Sequence, residues 1–183
     1  MKKKELKKKR LKIDYSWIIK IILISFLISI IFSFISETSI PNVNIVIGII
    51  IVFVFILIGV LFDMIGIAIA TANEAKFHSM ATKKVKGAKI AIKLKKNADK
   101  VSSFCNDVIG DICGIMSGSA GAVIALKISE KLNCNSTIIA LLVVGLTSAL
   151  TIGGKAMEKG YAMSKSDDIL YKCAKILSIF KKD

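Results

Sequence analysis

Four long apolar runs divide the chain, and short polar or basic segments separate them. The first covers residues 15–36, about 22 residues, which is enough to cross a hydrocarbon core of roughly 30 Å. The others fall at about 45–72, 101–126 and 136–154. Two further segments are amphipathic rather than apolar. In residues 79–96, Met80, Val85, Ala88, Ala91, Ile92 and Leu94 leave an apolar face among lysines; in residues 166–180, Ile169, Leu170, Cys173, Ile176, Leu177 and Phe180 make a stripe at helical spacing. The pattern predicts an all-α membrane protein, with four transmembrane helices and amphipathic surface helices on the cytoplasmic side.

Charge gives the topology. The chain carries a formal charge of +14 at a mean hydropathy of +0.67, so its charges must be segregated from its apolar runs. Of 27 basic residues, 8 lie in residues 1–12, 9 in 71–100 and 7 in 155–183, whereas the loop 37–44 has none and the loop 127–135 has two. Basic segments stay in the cytoplasm, so both termini are expected there, in a multi-pass protein of the cytoplasmic (inner) membrane. Residues 1–14 then form a basic cytoplasmic tail, and 15–36 a retained helix, too long for a signal-peptide core. The basic blocks flank apolar runs and carry few aromatics for base stacking, which argues for the lipid bilayer and against nucleic acid as partner. Cys105, Cys113, Cys134 and Cys173 show no metal-ligand or disulfide spacing. No nucleophile–base pair and no phosphate-binding glycine loop is present, so an enzyme is not expected.

The third run is less oily than a lipid-facing helix should be. Ser103, Asn106, Asp107, Gly110, Asp111, Gly114, Ser117, Gly118 and Gly121 recur at steps of three and four, as one stripe. The second run has a matching stripe of Gly59, Asp63, Gly66, Ala70 and Asn73. A carboxylate near the bilayer centre costs about 2.5–3.5 kcal/mol on insertion scales and therefore faces a cavity or a partner. By helical rise, Asp63, Asp107 and Asp111 lie about 10, 12 and 6 Å from the middle of their spans. All three are then in the inner half of the bilayer. Oxygen ligands at one depth suit a hard divalent cation such as Mg²⁺, which takes six oxygens at about 2.0–2.1 Å. The expected metal set is Asp63, Ser103, Asn106, Asp107 and Asp111. The plainer alternative pairs each acid with a snorkelling lysine. Gly110, Gly114 and Gly118 form a repeated GxxxG and point to a homodimer. His78 reads as an interfacial side chain.

Residues 62–110 carry a family likeness. The passage 87–101 (GAKIAIKLKKNADKV), the group Cys105–Asn106–Asp107 with Gly110, the pair Gly154–Lys155 and the segment 166–180 occur in that order. Over residues 45–180 the chain resembles the transmembrane domain of the CNNM/CorB/CorC magnesium and cobalt transport family, without that family's cytoplasmic regulatory modules. There Asn106 matches the asparagine motif, and Gly154–Lys155 resembles a Pro-Lys end. The family's first Glu falls on Gly66, with Asp63 one turn earlier as stand-in; a second Glu and a Pro fall at about Thr151 and Gly154. The resemblance implies transport of a divalent cation, Mg²⁺ or Co²⁺. The altered positions leave an alternative open: a regulatory or assembly subunit that keeps the scaffold without transport.

Overall fold

A computed structural model describes residues 14–180. Apart from Asp14, the expected basic tail lies outside the described residues. The helices are α1 (Tyr15–Ser39), α2 (Ile45–Thr71), α3 (Glu74–Thr82), α4 (Ala88–Lys96), α5 (Ala98–Ser103), α6 (Asp111–Leu132), α7 (Ser136–Ser164) and α8 (Ser166–Phe180). A π-helical segment, Phe104–Gly110, joins α5 to α6 without a break, so the two make one rod, Ala98–Leu132. With α1, α2 and α7, that rod gives four helices long and apolar enough to cross a membrane. Among the described residues there is no strand. The protein is an all-α, multi-pass membrane protein.

The rod and α2 run antiparallel. Gly48 packs on Ile124, Gly59 on Cys113, and Gly66 on Asn106, so residue numbers rise on one helix as they fall on the other. Helix α7 also lies antiparallel to the rod, with Gly121 against Thr147 and Lys155 against Asp111. It is therefore parallel to α2, where Gly154 meets Val60. Small residues at these crossings let the backbones approach, as in helix pairs in lipid, where oil-to-oil transfer supplies no driving force. Outside this trio lies α1, which buries only Ser36. It rests Ile21, Ile28 and Phe32 on Val108, Ile112 and Met116, with Phe32 edge-on to Phe55 at 6.2 Å.

Each end of the bundle is closed differently. At one end Ile40 is buried with Val52, Ile56, Ala120 and Ile124. There Lys127 donates to the carbonyls of Ile40 (2.9 Å) and Val43 (2.6 Å), which fastens the α1–α2 loop to α6. Asn133, in the left-handed conformation at φ 50°, ends α6, and the Asn135 side chain accepts from the Thr137 N–H to start α7.

At the other end the surface helices build a core of their own. Ile69 and Ala72 of α2, Phe77 of α3, Ala91 of α4, and Leu170 and Ala174 of α8 are buried together. The stretch expected as one helix over 79–96 is divided, because Lys84 and Gly87 take positive φ (54° and 85°). A Cβ on Gly87 would stand 3.2 Å from the Lys175 backbone, so glycine here permits both the turn and the approach of α8. On α8 the covered residues are Ile169, Leu170, Ala174 and Ser178, while Ile176 and Leu177 of the expected stripe are exposed. Phe180, also in that stripe, has its side chain outside the described residues. Lys95 donates to the carbonyls of Ile69 (3.2 Å) and Ala70 (2.6 Å), a cation on the free carbonyl end of α2. Asn97 does not cap α5 through its side chain but donates back to the Lys93 carbonyl at 2.9 Å.

Candidate functional site

The site lies where α2, the π segment and α7 meet. Seven residues, Phe104–Gly110, bond in the wider π pattern. A π turn is rare and carries more residues than an α turn, so it displaces side chains from their α-helical directions; such turns cluster at functional positions. The π turn presents Asn106 to α2 opposite Gly66. A Cβ on Gly66 would stand 1.7 Å from Asn106 Oδ1 and 3.1 Å from the Ser102 carbonyl oxygen. No residue but glycine leaves the amide its place. Asn106 Oδ1 is buried and has no hydrogen-bond partner among the described residues.

One turn along α2, about 4.5 Å by helical rise, is Asp63, half-buried. Beside it stands Glu158 of α7. Glu158 is 9% exposed, and neither of its carboxylate oxygens has a hydrogen-bond partner among the described residues. Two carboxylates stand side by side, which is costly in a dry interior unless they share a proton or a cation. One turn from Glu158 is Lys155. Its Nζ is 3.3 Å from Asp111 Oδ1 and 3.5 Å from where a Cβ on Gly110 would stand.

The residues expected around one ion are distributed over several contacts. Asp63 lies beside Glu158, Asn106 lies against Gly66, and Asp111 pairs with Lys155. Asp107 is exposed and accepts from the Ser103 hydroxyl at 2.5 Å, within its own helix. Among the described residues no three His, Cys, Asp or Glu side chains group as a metal set. A family model, the Cyclin M transmembrane N-terminal domain, matches residues 49–182. The chain belongs to the CNNM family. No curated protein and no solved structure matches the chain. The CNNM domain is associated with divalent-cation transport, in a family of transporters rather than enzymes. The match begins inside α2, so α1 lies outside the CNNM region.

Glu158 is the site residue that sequence reading missed. The apolar run stops at Gly153–Gly154–Lys155, and an acid four residues on reads as surface. Helix α7 instead continues to Ser164, with Gly154 packed on Val60 and Glu158 buried. The available signal was spacing: Lys155, Glu158 and Ala162 follow Thr147 and Thr151 at steps of three and four, on the face where Thr147, Glu158 and Ala162 are buried.

Proposed function

We propose that this CNNM chain moves a divalent cation, Mg²⁺ or Co²⁺, across the cytoplasmic membrane, with both termini in the cytoplasm. The observation that carries the reading is two sets of buried oxygens without donors among the described residues: Asn106 Oδ1 against Gly66, and both oxygens of Glu158, which stands beside the Asp63 carboxylate. Oxygen acceptors lacking donors are what a hard cation satisfies, and they come from three separate helical segments. Relative movement of α2, the π segment and α7 would then open the site to one side or the other, with the ion as cargo. Asp111, Asp107 and Ser103 line the approach in this reading and serve the ion less directly.

The same chain as a homodimer fits the outer face of the rod. Asp107 and Asp111 are exposed there, and Gly114 and Gly118 have open space before them. Small residues on a helix face let a second copy pack closely, while each acid keeps its own partner, Asp107 the Ser103 hydroxyl and Asp111 the Lys155 ammonium.

Flux into proteoliposomes loaded with a Mg²⁺-sensitive dye tests the proposal. The intact chain should give uptake above empty vesicles, and Asp63→Asn and Glu158→Gln should lower it at least tenfold. Uptake no faster than in empty vesicles would reject transport. It would favour a non-transporting regulatory or assembly subunit, a reading supported by the Lys155 ammonium already standing among the acids.

A further inference from the structure

Lys155 is out of place for a site that takes up a cation. Its side chain is three-quarters covered, whereas Asp111, its partner, has 64% of its side chain exposed. It does not snorkel to the surface as a lysine at a span end usually does. It reaches inward to Gly110 at the end of the π segment. Lys155 and Glu158 are three residues apart on α7, hence on one face. Glu158 is nine-tenths buried, its carboxylate has no hydrogen-bond partner among the described residues, and it stands beside Asp63 at the same junction. The junction thus holds a carboxylate pair, Asp63 and Glu158, and one cation fixed to the chain, whose other contact is the exposed Asp111.

We propose that Lys155 is a tethered counter-cation of this site, an internal competitor of a divalent ion. With the site empty, the ammonium offsets part of the charge of the acids. A divalent ion at Asp63 and Glu158 is repelled by the ammonium, which its 3.3 Å contact with Asp111 keeps at the junction. The ion is held more weakly than the two acids alone would hold it, and it leaves more readily. This rests on the reading of Asp63, Asn106 and Glu158 as the ion's position.

The test is the melting temperature of the purified full chain in detergent as MgCl₂ is titrated, with Lys155→Gln, Lys155→Met, Lys155→Arg and the double variant Asp63→Asn/Lys155→Gln. The proposal expects Lys155→Gln and Lys155→Met to lower the Mg²⁺ midpoint at least tenfold, Lys155→Arg to stay within threefold of the unaltered chain, and the double variant to lose the gain. Two neutral variants of different polarity guard against one of them failing to fold. If the unaltered chain responds to Mg²⁺ and the neutral variants bind no more tightly, the tethered cation is rejected while the ion site stands. If only the neutral variants respond, the tethered cation is supported and transport by the unaltered chain is not. If no form responds, the ion site is rejected and the competitor with it.

Discussion

The rod formed by α5, the π segment and α6 has two polar faces that fare very differently. The face toward α2 carries Asn106, Gly110 and Cys113, and there Gly59 and Gly66 bring the backbones close. The adjoining face carries Asp107, Asp111, Gly114 and Gly118, which are exposed or have open space before them. One kind of residue does two jobs. On the inner face, absent side chains make room for an amide oxygen left without a donor. On the outer face, they leave a surface with two carboxylates at its edge, one bonded to Ser103 and one to Lys155. Polarity at membrane depth therefore does not by itself mark an ion site; what marks it is burial without a donor.

Glycine substitutions would break this contrast most sharply. Gly66→Ala forces Asn106 from its position and should cost about 1–3 kcal/mol, in the range of overpacked cores, with the Mg²⁺ response lost. Gly114→Ala has nothing to strike and should stay within about 0.5 kcal/mol. Thermal melting in detergent compares the two, and equal losses would erase the distinction between the faces. Next in size is a pair of acids. Glu158→Gln should lower Mg²⁺ flux at least tenfold, whereas Asp107→Asn should leave it within twofold.

A third comparison addresses the outer face alone. Gly118→Ile should at least halve the yield of cross-linked dimer while leaving the melting temperature unchanged, since the bulk is added where there is space. Labelling gives a smaller effect. A maleimide should modify Cys134, which is exposed in the loop between α6 and α7, at least tenfold faster than Cys105 or Cys113, which are buried, as read by mass spectrometry.

The smallest effect sets the scale for surface charge. Asp14 accepts from Lys100 at 2.9 Å and from the Trp17 N–H at 3.1 Å, and these hold its carboxyl below the usual Asp value. A depressed carboxyl stabilises the fold above its unfolded pKa and loses that contribution as pH falls through the folded value. The pair is exposed and salt-screened, so Asp14→Asn should change melting too little to detect at neutral pH in 0.5 M salt, conditions of about a 4 Å screening length.

Much of the fold was legible because lipid makes simple demands. Every backbone group in the bilayer must be bonded within its own helix, so length and hydropathy mark the spans. The amphipathic segments were legible for the same reason, although not their docking. Phe77, Ala91 and Leu170 close a core with the end of α2, and nothing in the period of any one helix says which other helix covers it. The turn at Lys84–Gly87 was hidden because lysines continue through it without a change of pattern.

For the site, the sequence by itself determined which residue types stand at membrane depth, with Asp63 and Asn106 on small-residue stripes. The tertiary structure decided which of them meet. On an α-helical wheel Asn106 and Asp111 are already about 140° apart, too wide an arc for one contact, and the π segment between them alters the spacing further. Glu158 enters only because α7 lies parallel to α2 and continues beyond its apolar stretch. Lys155 follows it for the same reason, so the charge in the junction is a sum over three segments far apart in sequence. Periodicity along one helix fixes a face, and only packing fixes what that face is turned against.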